Sequence, residues 1–111
     1  MSALFHITTQ AAWVEARTGG EYRAPSLETQ GFIHLSTEVQ WPLTLKRFFA
    51  GQRHLVLLVI DPAKLHAQVR FEPAHADSFP HLFGPLNLEA VVEVRAQTSL
   101  RFSKDENPQS I

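Results

Sequence analysis

The sequence predicts a small single domain of the α+β class, and three observations support this prediction. The chain has 111 residues, of which 44% are hydrophobic, so it can build one core and hardly two. The run from 55 to 60 is unbroken and apolar, which is typical of a strand at the centre of a sheet. Strand-like segments mix irregularly with two short helical segments. We assign residues 1–102 to the domain and 103–111 to a loose C-terminal tail.

The first predicted strand, Leu4 to Thr8, leads directly into the first predicted helix. Thr8 or Thr9 is a suitable N-cap, because its hydroxyl can accept a hydrogen bond from a free amide of the first turn. The helix carries Ala12, Trp13 and Ala16 on one face, and Gly19-Gly20 ends it.

The next stretch is predicted as a loop, followed by a short strand and the second helix. Glu21 to Leu27 contains a proline and a lone aromatic residue, which favours an extended loop in which Tyr22 lines a pocket. Phe32 to Leu35 is a short apolar strand. Ser36 or Thr37 is a suitable N-cap for a helical piece with Pro42 in its first turn, and this piece runs to Phe49 and closes at Gly51.

The second half is predicted to begin with the central strand, Leu55 to Ile60. Asp61-Pro62 then predicts a single helical turn with Asp61 as its cap. Val69 to Glu72 and Val91 to Ala96 are predicted as further strands, and Phe79 to Leu86 as a loop rich in aromatic and proline residues.

Charge and composition exclude several classes of function. The formal net charge is −1 and the basic residues are scattered, so no surface for a nucleic-acid backbone or an anionic membrane is indicated. The absence of cysteine excludes disulfides, thiolate metal sites and cysteine nucleophiles. No stretch resembles a signal peptide or a membrane span. We therefore expect a cytoplasmic protein whose partner is a small molecule.

The segment Gly31 to Thr37 is the strongest candidate for a site. It places a histidine and two hydroxyls among apolar residues where a strand meets a helix. Because side chains alternate along a strand, His34 and Ser36 share the face opposite to Ile33 and Leu35. His6, Glu72 and His81 also lie in short apolar contexts and are predicted to converge on the same cleft.

Each of these residues also has a structural alternative. His6 could simply bond a neighbouring backbone group, and Ser36 and Thr37 could only cap the next helix. Glu72 could be a solvated carboxylate at a strand end. His81 could help to satisfy the backbone of its loop without contacting a ligand.

Several segments together resemble the domain of unknown function 952 family of small bacterial-type proteins. These proteins have a His-Ile-Thr start, a Gly-Phe-Ile-His-x-Ser segment and a Phe-Pro-His-Leu-Tyr-Gly-Pro-Leu segment. The corresponding segments here are Phe5–Thr8, Gly20–Leu27, Gly31–Ser36, Phe48–Gly51, Ile60–Pro62, Val69–Glu72 and Phe79–Leu86. They extend over nearly the full chain. Phe83 departs from the pattern, in which tyrosine is usual.

The resemblance implies an ADP-ribosyltransferase-like fold, with a split mixed sheet and a cleft that holds NAD in true transferases. The transferase set is a histidine on the first strand, an aromatic residue or second histidine near the nicotinamide, and a late-strand glutamate. His6, then Tyr22 or His34, and Glu72 fit this order. Fold alone does not transfer activity, so these roles are expectations.

Three hypotheses follow. In the first, the protein carries out ADP-ribosyl chemistry on NAD: His6, His34 and Glu72 are catalytic, and the ligand contacts are Tyr22, Arg23, Ser36 and His81. In the second, a non-catalytic module binds a nucleotide or metabolite in the same cleft. In the third, the histidines and Glu72 hold a divalent metal, although no metal-binding spacing supports this. We expect no permanently bound cofactor, with NAD as a substrate under the first hypothesis.

Overall fold

The structure is a computed structural model that describes residues 2–97, so the predicted tail at 103–111 lies outside it. The described elements are β1 (Leu4–Thr9), α1 (Gln10–Gly19), β2 (Glu21–Tyr22), α2 (Pro25–Gln30), β3 (Ile33–His34), α3 (Trp41–Phe48), β4 (Leu55–Ile60), β5 (Val69–Ala74), β6 (Asp77–Leu82), β7 (Leu86–Asn87) and β8 (Val91–Ala96), with 3₁₀ turns at Pro62–Lys64 and Leu88–Ala90. Within this range, no helix has both the length and the apolar character needed to cross a membrane.

The strands form three small sheets, which confirms the α+β class. Their orders are β1-β4-β8, β2-β7 and β3-β6-β5. Every strand pair between the described residues is antiparallel, so the expectation of a mixed sheet is wrong. A parallel pair needs a crossover of about a dozen or more residues, whereas short connections such as the β5–β6 turn produce hairpins. The described range also contains three α-helices rather than two.

Strand β4 is the central strand of its sheet, as predicted. It pairs with β1 on one side and β8 on the other, and all six of its residues are buried. Leu58 faces a core cluster that includes Leu4 and Tyr22, while Leu57 faces a second cluster that includes Phe5. The unbroken apolar run therefore supplies both faces of the sheet.

Helix α1 begins and ends as its sequence predicts. Thr9 caps it, its Oγ1 accepting a hydrogen bond of 3.0 Å from the amide of Ala12. Gly20 ends it with φ 94°, a left-handed conformation that glycine adopts without steric cost. Ala16 is buried, and Ala12 and Trp13 pack against the same cluster.

The predicted loop at 21–27 is instead a short strand followed by a helix. Tyr22 is buried in β2 and pairs with Leu86 of β7. Pro25 opens α2, and Gly31 closes it with φ 88°. Proline was interpreted as a sign of a loop, but its fixed φ and missing amide hydrogen also suit the first turn of a helix.

Helix α3 begins later than the candidate caps suggest. Thr37 closes a turn with Gln40, whose amide nitrogen lies 3.3 Å from Thr37 Oγ1, and the helix starts at Trp41. The Gln40 side chain then reaches the β5–β6 hairpin, where its Nε2 donates to the carbonyl of Ser78 at 2.7 Å and to Asp77 Oδ2 at 3.0 Å. The hydrogen bond from Gln40 to the carboxylate holds the pKa of Asp77 below its usual value.

The predicted loop at 79–86 begins as the middle strand of the third sheet. Strand β6 includes Pro80, which lacks an amide hydrogen and so argued against a central strand. The Pro80 carbonyl accepts a hydrogen bond from the amide of Leu35, just past the end of β3. The amide hydrogen that proline lacks would point to the same place, where the pairing of β6 with β3 has already ended. Strand β5 continues past the predicted Glu72 to Ala74. Strand β8 matches its prediction, although Val92 and Val94 are exposed.

Candidate functional site

One face of the third sheet carries most of the predicted site residues. The register places His34 of β3 opposite His81 of β6, and His81 opposite Arg70 of β5. Glu72 lies opposite Phe79, two residues along each strand, and so shares this face. The register of the three strands therefore brings His34, His81 and Glu72 together on one face. We call this surface the site face.

A cleft of about 550 Å³ opens over the site face, a volume within the range of small-molecule pockets. Its walls come from β1, β3, α3 and the β5–β6 hairpin. None of its described lining residues is a lysine, an arginine, an aspartate or a glutamate. The polar lining residues are His6, Gln30, His34, Ser36, Thr44, His75 and His81, and the aromatic ones are Phe32, Phe48, Phe49 and Phe79.

His81 is the most constrained polar group of the cleft. It is 5% exposed, and its ring stacks on Phe32 with centroids 3.9 Å apart and planes at 12°. Its Nδ1 lies 3.0 Å from Glu72 Oε1, so Nδ1 donates and the carboxylate accepts. Its Nε2 is buried and has no hydrogen-bond partner in the described part of the chain. A buried polar atom without a partner is unusual and calls for an explanation.

His34 lies at the exposed side of the cleft. Its Nε2 is 3.2 Å from Gln30 Oε1 at the end of α2, and its ring meets that of His81 edge-on at 5.4 Å. Partial burial lowers the pKa of His34, and repulsion from His81 and His75 lowers it further. The imidazole is therefore biased towards its neutral form.

His6 lies at the back of the cleft in a chain of hydrogen bonds. Its Nδ1 donates to the carbonyl of His34 at 2.7 Å, and its Nε2 lies 2.9 Å from the Tyr22 hydroxyl. That hydroxyl is also 3.0 Å from Thr8 Oγ1. Burial lowers the pKa of His6 to about 4, so the ring is neutral at pH 7. Burial also raises the pKa of Tyr22.

Ser36 connects two sheets as well as lining the cleft. Its backbone exchanges two hydrogen bonds of 2.8 Å with Phe5 on β1, and its Oγ lies 3.2 Å from Thr44 Oγ1 on α3. The hydroxyl pair therefore links the segment after β3 to α3. It can donate to or accept from a ligand.

Arg23, a predicted ligand contact, and Arg70 of β5 both lie away from the cleft lining. Arg23 is exposed and pairs with Glu21 at 3.0 Å. Arg70 places its guanidinium 4.3 Å over the ring of Phe83. Tyr22 and Glu72 are also outside the lining, since Tyr22 contacts His6 from behind and Glu72 contacts His81.

The sequence interpretation missed several lining residues. Phe32 could have been found, because it lies two residues before His34 and so shares its face. Gln30, Thr44 and His75 gave no signal, since they reach the cleft from a helix or a turn whose placement depends on tertiary structure. Among residues 2–97 no group of three or more histidines and carboxylates is arranged to hold a metal ion, so the metal hypothesis gains no support.

Comparison with known proteins finds a family and solved structures. The profile of a family described as "Protein of unknown function (DUF952)" matches residues 7–94. The crystal structure of protein CC0527 from Caulobacter crescentus is similar, with 30% identity over 86% of this chain and 85% of that chain and a TM-score of 0.79. Its solution NMR structure gives 31% identity over 85% and 83%, with a TM-score of 0.72. Curated proteins give no significant match.

Proposed function

This chain belongs to the DUF952 family of proteins of unknown function, and from that premise we propose that it binds a small, uncharged, planar ligand in the cleft. The family resemblance seen in the motifs is confirmed, but the family supplies no activity. The proposal therefore depends on the chemistry of the cleft. His81 would supply the specific hydrogen bond and the phenylalanines the apolar contact.

The single observation that carries this proposal is the unpartnered Nε2 of His81. An atom of this kind costs free energy when it is buried without a hydrogen bond, about 1–3 kcal/mol for a typical polar group. A ligand that donates a hydrogen to Nε2 recovers that cost. Turning the ring to another partner would break the hydrogen bond of Nδ1 to Glu72 and the stacking on Phe32.

The lining residues favour an uncharged ligand with an aromatic or heteroaromatic ring. A phosphate or carboxylate is usually met by an arginine, a lysine or a helix N-terminus, and neither of these side chains is among the described lining residues. Aromatic walls at Phe32, Phe48 and Phe79 offer stacking surfaces for a flat ring. We expect no resident cofactor in this site. We also propose, as a separate point, that the protein is cytoplasmic.

ADP-ribosyl chemistry on NAD, on an ADP-ribosyltransferase-like fold, is the second candidate. The proximity of Glu72, His34 and His81 on one sheet face supports it, because a carboxylate near a nicotinamide could stabilise charge that develops on the ribose. The nicotinamide ring has the size and neutrality that the cleft favours. The diphosphate would have to lie outside the described lining, towards the arginines.

The test is a comparison of nicotinamide, adenine, ADP-ribose and NAD by NMR titration and calorimetry. We expect the uncharged rings to bind and to shift resonances of Phe32, His34 and Phe79. His81→Phe keeps the ring shape but removes Nε2, and we expect it to weaken binding by about tenfold or more, which corresponds to about 1.4 kcal/mol. His66→Ala changes an exposed histidine outside the cleft lining and serves as the matched control.

Two results would contradict the binding proposal: no titratable shifts with any of the four compounds, or equal affinity in a folded His81→Phe variant. The second candidate makes a different demand. It requires NAD to bind more tightly than nicotinamide and to release nicotinamide, and it requires Glu72→Gln to abolish that release. Binding of nicotinamide without turnover of NAD would support the first proposal alone.

A further inference from the structure

The pair formed by Glu72 and His81 has the arrangement of a proton acceptor. We propose that His81 Nε2 removes a proton from a weakly acidic O–H or N–H group of a ligand bound in the cleft, and that Glu72 acts as the positioning residue. This inference rests on the proposed binding function and adds a chemical step to it. It names the ligand class as uncharged phenols and imide-like rings.

The first step of the argument is the tautomer of His81. Glu72 Oε1 lies 3.0 Å from Nδ1, and a carboxylate can only accept, so the hydrogen of the neutral imidazole resides on Nδ1. The lone pair is then on Nε2, the atom without a partner. The carboxylate thereby selects the form of histidine that can accept a proton.

The second step concerns the charge that forms after transfer. When the ligand X–H gives its proton to Nε2, the ligand becomes the anion X⁻ and His81 becomes an imidazolium that keeps its Nδ1 hydrogen on Glu72. No other reactant is needed, and the proton returns when the ligand leaves or reacts. The imidazolium is stabilised by the adjacent carboxylate, as in other histidines that a carboxylate orients.

The groups around His81 decide how far this transfer proceeds. Glu72 favours the imidazolium, whereas His34 on β3, with its ring 5.4 Å away, opposes it when protonated. Arg70 lies opposite His81 on β5 and would favour an anionic ligand nearby, although its guanidinium is held over Phe83. His75 also lines the cleft from the hairpin turn.

The third step is the fit between the ligand class and the cleft. The ligand must enter as an uncharged molecule, since the described lining offers no ion partner. It must be flat enough to contact the phenylalanine walls, and it must carry an acidic hydrogen that can reach Nε2. Phenols and imide-like heterocycles meet all of these conditions, whereas aliphatic alcohols are too weakly acidic.

The experiment uses para-nitrophenol as the probe, because only its anion absorbs visible light. The fraction ionised is read by absorbance across a pH series, and binding is measured separately by NMR on the same samples. We expect the full-length protein to lower the apparent pKa of the bound phenol by about one unit, a tenfold shift towards the anion. His81→Phe should remove this shift.

The Glu72→Gln variant tests whether the charge of Glu72, rather than its hydrogen bond to His81, is needed for the proton transfer. Glutamine can still accept a hydrogen bond from Nδ1, so the orientation of His81 should be retained. The carboxylate charge is lost, so most of the shift in the phenol should disappear. Glu72→Asp, which restores a carboxylate, should recover part of it.

The outcomes distinguish this inference from the binding proposal. If para-nitrophenol binds without a change in ionisation, or if it fails to bind while nicotinamide binds, the proton-transfer inference is overturned and the binding proposal stands. An unchanged shift in Glu72→Gln also overturns it. If neither probe binds, the binding proposal fails, and the inference fails with it.

Discussion

His6 on β1 donates from Nδ1 to the main-chain carbonyl of His34 on β3 at 2.7 Å, joining strands of two different sheets. The two residues were both predicted to act on a ligand. The hydrogen bond gives them different tasks, since His6 has both ring nitrogens occupied and His34 faces the open side of the cleft. His6 therefore fixes the backbone that carries His34.

The first prediction concerns the pH dependence of stability. Burial lowers the pKa of His6 from its ordinary value of 6.5 to about 4 in the folded protein, so the unfolded chain binds more protons between these values. The free energy of unfolding should therefore fall as the pH drops from about 6.5 to about 4, by up to about 3 kcal/mol from His6. Urea denaturation at a series of pH values measures this change.

His6→Asn is the matched variant for this test. Its side-chain amide can still donate to the His34 carbonyl, but it does not titrate. We expect a flatter pH profile in His6→Asn, and an unchanged profile in the surface control His66→Gln. Equal slopes in His6→Asn and the parent protein would assign the pH dependence to other groups.

A second prediction concerns the hydroxyl of Tyr22. It pairs with both His6 and Thr8 in a buried position, so Tyr22→Phe should lower the free energy of unfolding by about 1–3 kcal/mol. The sequence contains a single tyrosine, so ultraviolet titration of the parent reports this group alone. We expect it to ionise above pH 10, because burial raises its pKa. Ionisation at or below pH 10 in the folded protein would disprove this environment.

A third prediction concerns the central strand β4. Leu57 and Leu58 are both 0% exposed and face different core clusters. Truncation to alanine at either position should cost about 2–5 kcal/mol of unfolding free energy. Leu43→Ala, at an exposed position on α3, is the control and should change stability by about 0.5 kcal/mol or less. A loss below about 1 kcal/mol at both buried positions would be incompatible with central burial.

A fourth prediction explains the glycine of the Phe83-Gly84-Pro85 motif. A Cβ at Gly84 would lie 2.7 Å from the Cβ of Ala67, which is too close for two carbon atoms. We therefore expect Gly84→Ala to cost about 1–3 kcal/mol through overpacking. The double variant with Ala67→Gly removes the clash and should recover part of the loss. Thermal denaturation of the three variants checks this, and no recovery in the double variant would exclude the clash as the cause.

Part of this structure could be predicted from the sequence because local patterns determine it. The apolar run of β4 has no other good placement than the middle of a sheet, and alternation alone puts His34 and Ser36 on one face. His81 shares that face and lines the cleft, whereas Glu72 shares the face but lies outside the lining and contacts His81. The placement of β4 and the common face of His34 and Ser36 depend on residues close in sequence, whereas the meeting of β3 with β6 does not.

The remaining features depend on contacts between distant residues. Pro80 argues against a central strand on local grounds, and it is accommodated only because β3 is so short. The fixed φ and missing amide hydrogen of Pro25 suit a loop as well as the start of a helix, so the sequence around it does not distinguish the two. Arg23 lies in a segment that matches the family pattern. Its ion pair with Glu21 on the surface could not be deduced from the positions of the two residues in the sequence.

The Gln40 side chain links two walls of the cleft without being part of its lining. Its amide ties the start of α3 to Asp77 and Ser78 in the β5–β6 hairpin, and these two elements supply opposite walls of the cleft. The two walls are also in contact through Phe48 and His75, whose ring centroids are 5.1 Å apart, so the Gln40 side chain is one of two links between them. Size exclusion at the entrance of the cleft would then be tunable by evolution at position 40, independently of every residue that a bound molecule touches.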